Sequence, residues 1–410
     1  MAVNKERIFN RLTELGKIGK KEDGIYCLAL SKEENEAHAL VRKYMEEAGL
    51  KVRVDAAGNL IGRKEGKDPQ SSVVMTGSHI DTVYGGGIFD GRLGVIGGIE
   101  ALQAMNEEGI ETLHPIEVIA YRDEEGTRFV GSYSGAAHMV GKPPEGIMEH
   151  VDKDGISVTE ALRECGIDPD HVTDAALPEG YAKAHLELHI EQGAVLESKG
   201  LSVGIVTGIC AQIRGEYVIK GQSAHAGTTP LPLRKDALCA ASEVILAIED
   251  ETKKSEGCVA TVGRIVAEPG GVNVVPGTAK FSIDIRHQIP EVRDQLLKRI
   301  NERVEEICSR RKVTWELNVL SRETTEKPCD PRIQKVIEEA CMKEGYPVYK
   351  MPSGAGHDSG ALIPFCPSGM IFIRSKDGLS HNGNEYSSPE DCEAGVKVLY
   401  DSLYQLAEEK

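Results

Sequence analysis

The sequence predicts an α/β fold in which one discontinuous, mostly parallel-sheet domain carries a smaller inserted domain. Strand-like and helix-like runs alternate in the first half of the chain. The order of predicted strands and helices changes between about residues 212 and 322, and the alternation then returns. We therefore assign residues 1–211 and 323–410 to the larger domain and 212–322 to the insertion. A chain of 410 residues also exceeds one ordinary core and favours two domains.

Helical and strand periodicities define the elements of the larger domain. A helix is expected from Ser31, with Glu34 in capping-box position, to Gly49. The other predicted elements are strands at 72–77, 116–121, 184–190, near 348 and 369–375, and helices near 93–108 and at 331–344.

The insertion reads in the order β-α-β-β-α-β, the split unit of a compact independent domain. Its predicted elements are strand 215–221, helix 234–252, strands 258–266 and 278–287, helix 290–311 and strand 313–320. An insertion joined through two strand ends is suited to opening and closing over a cleft.

Composition limits the classes of partner. With 65 acidic and 48 basic residues, the formal charge of −17 argues against nucleic acid and anionic membranes and favours a small-molecule substrate. The ten cysteines form no C-x-x-C pair, and the N-terminus lacks a signal-peptide core. We therefore expect reduced thiols and a cytoplasmic protein.

Polar side chains follow four predicted strands of the larger domain, and they are His79, Asp81, Glu124, Glu125, His189 and His381. Each alone is typical of an ordinary surface or turn residue. Because the carboxyl ends of strands in an open α/β sheet share one edge, these segments are expected to converge on one cleft.

Imidazoles mixed with carboxylates and no cysteine suit Zn, Mn, Co or Ni in a catalytic site. Three histidines, an aspartate and a glutamate exceed the needs of a single catalytic ion that keeps an open position. Two ions about 3.5–4 Å apart that share one carboxylate and a water would use them all. The ligand types leave the native metal open.

Six motifs resemble the N-carbamoyl-L-amino-acid hydrolases and allantoate amidohydrolases, relatives of β-ureidopropionase, the aminoacylases and the dinuclear-metal exopeptidases. They run in order from about residue 30 to the C-terminus: GSHIDTVYGGGIFDGRLGV, DEEGTRF, ELHIEQGAVLE, GQSAHAGTTPLPLRKDA, MPSGAGHDS and IFIRSKDGLSHNGNE. The resemblance implies a metal-bearing α/β domain with an inserted lid that also forms a homodimer.

The resemblance also implies a role for each candidate. Asp90 would bridge two metal ions, His79 and His189 would complete one site, and Glu125 and His381 the other. Glu124 would be the general base, with Asp81 behind His79. Substrate contacts would come from His225, which in relatives often reaches across the dimer, from Arg286 as a carboxylate clamp, and from Gln192, Asn273 and the turn Gly354–Gly356.

The sequence does not distinguish between two classes of ureido substrate. Arg214 lies where allantoate amidohydrolases tend to carry Arg and carbamoylases Trp, and HAGTTP also leans toward allantoate. The segments FVGSYSGAAHMVG and SHNGNE depart from the usual family pattern, so allantoate and an N-carbamoyl amino acid stay equal alternatives. A dipeptidase or aminoacylase is the enzymatic rival, and a non-catalytic binding protein is the remote one.

Overall fold

Strands and helices alternate through the first part of the computed structural model, which describes residues 3–129 and 131–410. Val130, in the segment that departs from the family pattern, lies outside the described residues. The elements of this part are α1 (Lys5–Leu15), α2 (Lys32–Glu47), β1 (Lys51–Val54), β2 (Leu60–Lys64), β3 (Val73–His79), α3 (Arg92–Glu107), β4 (Ile116–Tyr121), α4 (Gly135–Met139), α5 (Val158–Glu164), β5 (Ala182–Ile190), α6 (Val195–Lys199) and β6 (Val203–Ile209).

The middle and last parts of the chain differ in style. The middle part contains β7 (Ala211–Lys220), β8 (Ala224–His225), α7 (Ala237–Lys253), β9 (Val259–Thr261), β10 (Ile265–Glu268), β11 (Val274–Val275), β12 (Thr278–His287), α8 (Pro290–Arg311) and β13 (Thr314–Arg322). The last part contains β14 (Lys327–Pro328), α9 (Pro331–Lys343), β15 (Lys350–Ser353), α10 (Ser359–Leu362), β16 (Ser368–Ile373) and α11 (Pro389–Glu408).

The chain divides into two units. Unit 1 comprises Met1–Gly208 and Pro328–Lys410, and unit 2 comprises Ile209–Lys327. The sequence placed the junctions a few residues further inside the insertion, because β6 and β7 follow each other with only Cys210 between them and no turn signal marks the change. Among the described residues, every helix is too short or too polar to cross a bilayer.

Unit 1 is built on a nine-stranded sheet of order β1-β2-β4-β3-β5-β16-β6-β14, with β15 paired to β6. Its four central strands, β4, β3, β5 and β16, are parallel. The pairs β1–β2, β2–β4 and β16–β6 are antiparallel, so the sheet is mixed rather than mostly parallel. Alternating runs cannot reveal the direction of short flanking strands. The parallel centre aligns the carboxyl ends of four strands at one edge.

Unit 2 is an antiparallel sheet of order β10-β12-β7-β13, with β9 paired to β12 and two helices on one face. The single strand predicted at 258–266 is two strands, because residues 262–264 between β9 and β10 leave the ladder. The stacked rings of Tyr217 and Phe281, with centroids 5.2 Å apart, lie in the core under α7 and α8. A separate two-stranded ribbon, β8 with β11, carries His225.

The start of α2 is tied to the end of β4 by a buried ion pair. Ser31 caps α2 by accepting a hydrogen bond from the Glu34 amide, but the Glu34 carboxylate accepts from the Leu30 amide and from Arg122 instead of closing the predicted capping box. Arg122 also donates to the Gly58 carbonyl. Burial alone would raise the pKa of Glu34, but the Arg122 charge and His38 outweigh it and lower the pKa to about 2.

We expect Glu34→Gln to lower the free energy of unfolding by about 3–5 kcal/mol, because Arg122 would keep a buried charge without its carboxylate partner. Since the folded-state pKa lies below the unfolded value, the wild-type advantage is fully present above pH 4.5 and disappears as the pH falls toward 2. Urea unfolding at several pH values measures this difference.

Glu46→Gln is the matched control, since Glu46 pairs with Arg42 on the exposed face of the same helix. That change is expected to cost less than about 1 kcal/mol. Equal losses in the two variants would contradict the assignment of the buried pair.

Candidate metal centre

The predicted ligands gather at the carboxyl edge of the parallel strands of unit 1. His79 is the last residue of β3, His189 lies at the end of β5, and Glu124 and Glu125 follow β4. His381 comes from the loop after β16 and has a positive φ of 53°. Strand ends thus deliver four chain segments to one edge, as expected for open α/β sheets.

Asp90 faces two separate groups of ligand atoms. Its Oδ1 lies 3.2 Å from His189 Nε2 and 3.8 Å from His79 Nε2. Its Oδ2 lies 3.3 Å from His381 Nε2, which in turn lies 3.5 Å from Glu125 Oε2. The ligand atoms of each group lie within 4.8 Å of one another. One carboxylate therefore belongs to both groups, which is the arrangement that a bridging ligand requires.

The glycines around Asp90 make room for this packing. Gly91 has φ of 64°, and a Cβ there would lie 2.4 Å from the His79 ring. A Cβ on Gly87 would lie 2.3 Å from the carboxylate of Glu385. The glycine-rich stretch is thus a closely packed wall of the site, since larger residues would collide with its functional groups.

Asp81 lies behind the ligands and makes more contacts than the one predicted, which was with the His79 imidazole. Its Oδ1 lies 3.6 Å from His79 Nδ1, which also lies 3.1 Å from the Asp81 backbone carbonyl. The same carboxylate accepts hydrogen bonds from the amides of Glu124 and Glu125, each at 3.3 Å. Asp81 therefore couples the position of the β3 histidine to that of both glutamates.

The electrostatics of the site favour positive charge. Burial would lower the pKa of His79, but Asp81 and the two glutamates outweigh it and raise the pKa well above its usual value. The hydrogen bond to Asp90 raises the pKa of His381 to about 9. Burial and the Asp90 charge raise the pKa of Glu125 to about 8. A cluster of buried carboxylates is stabilised by positive charge, whether this comes from protons or from metal cations. The imidazole and carboxylate donors fit divalent metals.

Glu124 is a member of neither ligand group. Burial, together with neighbouring carboxylates, raises its pKa above the usual range for a glutamate. An added Cβ on Gly356 would lie 3.8 Å from Glu124 Oε1, so the turn predicted from MPSGAGHDS approaches this side chain through its backbone. A carboxylate with a raised pKa is a better proton acceptor near neutral pH than an ordinary glutamate.

Gln192 contacts the centre directly. Its Nε2 donates to Asp90 Oδ2 at 2.9 Å, and its backbone amide donates to Ser375 Oγ at 3.1 Å. Its Oε1 is buried and has no hydrogen-bond partner among the described residues. This oxygen is therefore a buried hydrogen-bond acceptor at the edge of the centre.

His225 and Asn273 lie close together in unit 2, since His225 ends β8 and Asn273 directly precedes β11, the strand that pairs with it. The Asn273 carbonyl accepts a hydrogen bond from the Ala226 amide at 2.9 Å. His225 Nδ1 accepts from the amides of Gly227 and Thr228, at 3.1 and 3.3 Å. With Nδ1 used as an acceptor, the neutral ring carries its proton on Nε2 and presents it as a donor.

The two predicted arginines form a second pair in unit 2. Arg286 binds Asp284 with both arms of its guanidinium, through Nε and Nη2 at 2.9 Å each. Arg214, opposite Asp284 on the neighbouring strand, donates from Nε to the same carboxylate at 3.2 Å. Asp284, which the sequence analysis did not single out, thus holds both guanidinium groups on one face of the sheet.

A polar layer that was not predicted lies beside the ligands. His357 stacks edge-on against His189, with ring centroids 4.5 Å apart, and its Nε2 lies 2.7 Å from Ser353 Oγ. Burial and the neighbouring His189 lower the pKa of His357 to about 3, so this ring is neutral. Glu187 accepts hydrogen bonds from Ser78 Oγ and the Ser359 amide. Two signals were present in the sequence. Glu187 and His189 alternate onto one face of β5, and Ser353 and His357 lie within the MPSGAGHDS motif.

The profile of peptidase family M20/M25/M40 matches residues 66–405. The chain belongs to this family. A family relative from Geobacillus stearothermophilus, N-carbamoyl-L-amino acid amidohydrolase, is 48% identical over 404 residues and 98% of each chain. Allantoate amidohydrolase of Bacillus subtilis is 36% identical over 98% of each chain. These relatives confirm the resemblance that the motifs indicated.

A solved structure shares the fold of this chain. An amidase of the hydantoinase/carbamoylase family from Burkholderia multivorans has a TM-score of 0.93 at 35% identity, covering 99% of this chain and 98% of the other. The protein is therefore a hydrolase of this family with a mixed α/β fold.

Proposed function

We propose that the protein is a metal-dependent amidohydrolase that cleaves the carbamoyl C–N bond of a ureido compound bearing a carboxylate, with release of ammonia and carbon dioxide. The proposed substrate is an N-carbamoyl-L-amino acid or allantoate. The observation that carries the proposal is Asp90, whose two oxygens face separate ligand groups beside Glu124, a buried glutamate with a raised pKa. The named activities of the relatives support the reaction class.

The ligand groups define which residues would hold the metals. His79, Asp90 and His189 would hold one divalent ion, and Asp90, Glu125 and His381 the other. When bound, such ions would lower the pKa of a water molecule and polarise the carbonyl that is attacked. Zn, Mn, Co and Ni all suit these donors.

Glu124 carries the proton in this proposal. It removes a proton from the attacking water, and the same carboxyl group then gives that proton to the departing nitrogen. The backbone amide of Glu124 is fixed by Asp81, so its side chain starts from a defined position. Gln192 Oε1, which is buried and unpartnered among the described residues, would accept from a ureido N–H.

Unit 2 would supply recognition of the substrate. The Nε2 proton of His225 would donate to the oxyanion, and Asn273, directly before β11, would hydrogen-bond the substrate. Arg286, held as a planar fork by Asp284, would bind the substrate carboxylate, with Arg214 beside it for a second acceptor group.

Unit 2 would also serve as the lid and as the homodimer interface. Its surface exposes large apolar side chains, which are suited to burial in a subunit contact. The most exposed of these large apolar residues are Leu231, Leu233, Val272 and Leu320.

The test is an ammonia-release panel with purified protein. Substrates are allantoate, N-carbamoyl-β-alanine and several N-carbamoyl-L-amino acids, each assayed with Zn, Mn, Co or Ni after chelator treatment. We expect ammonia release that depends on metal and on the substrate carboxylate, with at least about a tenfold preference for one ureido class. Dipeptides and N-acyl amino acids are the comparison substrates. Turnover of these alone, with no ammonia from any ureido compound, would overturn the proposal.

A further inference from the structure

Glu385 is a buried carboxylate that contacts the predicted bridging ligand and takes no part in the proposed reaction. It lies in the loop after β16 and is 6% exposed. Its Oε1 accepts hydrogen bonds from the amides of Phe89 and Asp90, at 2.9 and 3.0 Å. These bonds fix the backbone that carries the Asp90 side chain.

Ser380 connects the same carboxylate to the Asp90 side chain. Its Oγ lies 2.9 Å from Glu385 Oε2 and 3.0 Å from Asp90 Oδ2, and its single proton is shared between these two carboxylate oxygens. Gln192 Nε2 also donates to Asp90 Oδ2, and His381 Nε2 lies 3.3 Å from the same oxygen. Backbone and side chain of Asp90 are therefore both held through Glu385, over a separation of 295 residues in the sequence.

The surrounding residues are shaped to accept Glu385. A Cβ on Gly87 would lie 2.3 Å from Glu385 Oε1 and 2.5 Å from its Cβ, so the glycine loop makes room for this side chain. Removing a carboxylate from water is costly unless hydrogen bonds compensate for the loss. Three hydrogen-bonding partners do so here, and two of them lie on or next to Asp90.

We propose that Glu385 and Ser380 are positioning residues that hold Asp90 so that one oxygen faces each ligand group. This inference rests on the metal site of the proposed function. Without the hydrogen bonds from Glu385 and Ser380, the Asp90 side chain would rotate and would present both oxygens to one ligand group. The consequence is weaker binding of metal, independent of any effect on the reaction itself.

The test measures metal affinity of the metal-free protein by titration with Zn²⁺ alone, in competition with a chromophoric chelator. Glu385→Ala is expected to weaken binding at one or both sites by about 10- to 100-fold. Ser380→Ala removes only the side-chain link and is expected to weaken binding by less than Glu385→Ala. Glu385→Gln is the rescue variant, because its amide oxygen can accept from both backbone amides while its NH₂ donates to Ser380 Oγ.

Asp330→Ala controls for a general loss of stability. Asp330 also accepts two backbone amides, those of Arg332 and Ile333, but at the start of α9. We expect its Zn²⁺ affinity to equal the wild-type value, although its unfolding temperature falls. If Glu385→Ala does not fold, Ser380→Ala against Asp330→Ala makes the same comparison.

The outcomes separate this inference from the proposed function. Wild-type affinity in both Glu385→Ala and Ser380→Ala would overturn the positioning role alone. Equal weakening in Asp330→Ala would also overturn it, since loss of stability would explain the effect. Wild-type protein that binds Zn²⁺ tightly but releases no ammonia would sink the proposed function and leave the positioning role standing. A wild-type protein that binds none of Zn²⁺, Mn²⁺, Co²⁺ and Ni²⁺ would overturn both.

Discussion

Glu124→Gln is expected to reduce kcat for ammonia release by about 10²- to 10⁴-fold while the metal content stays at the wild-type level. The amide keeps the size and the hydrogen-bonding reach of the side chain but cannot accept a proton from water. Glu124 belongs to neither ligand group, so its replacement removes no ligand. Steady-state kinetics and elemental analysis of the same preparation test the two halves of this expectation.

Glu125→Gln is the matched control, because it makes the same chemical change at the adjacent residue, whose amide is also held by Asp81. Glu125 Oε2 belongs to the group that contains His381, so this variant is expected to lose metal as well as activity. Activity in Glu124→Gln within tenfold of wild type would sink the assignment of the base. A loss of metal from Glu124→Gln equal to that of Glu125→Gln would identify Glu124 as a ligand instead.

The main elements of the fold were predictable where periodicity was strong. The strand predicted at 116–121 and the helix predicted at 290–311 have the same bounds in the structure. The C-terminal helix α11 was missed, although Ser388 caps it and Pro389 occupies its first turn. Such cap signals were present in the sequence, whereas the antiparallel direction of β1, β2 and β6 is set by partners elsewhere in the chain.

The site residues also divide into those that the sequence predicted and those that it did not. Residues after strands, such as His79 and Glu124, could be found because strand ends predict where polar groups converge. The place of Asp90 came only from resemblance, since an aspartate among glycines has no distinctive period. Glu385 ends the SHNGNE motif and Asp284 lies in a predicted strand, but neither was assigned a role, because the position of a single acidic residue does not predict its partners. Their roles depend on partners that folding brings near, such as Asp90 for Glu385.

Asp90→Asn is expected to reduce the metal content from about two ions per chain to one or fewer and to lower kcat by at least about 10²-fold. The asparagine has one oxygen where Asp90 has two, and its NH₂ group cannot be a ligand. It can therefore serve the group of His79 and His189 or the group of His381, but not both. Elemental analysis after dialysis measures the stoichiometry, and ammonia release measures the kcat.

Asp81→Asn makes the same change at a neighbouring aspartate that lies behind the ligands. Asp81 contacts His79 Nδ1 and the two glutamate amides, so its replacement would disturb orientation and keep every ligand. We expect this variant to retain two ions with an affinity lowered about 10- to 100-fold. If Asp90→Asn kept both ions and Asp81→Asn lost one, the bridge would have to be assigned to Asp81. The two oxygens of Asp90 would then face the histidines for another reason.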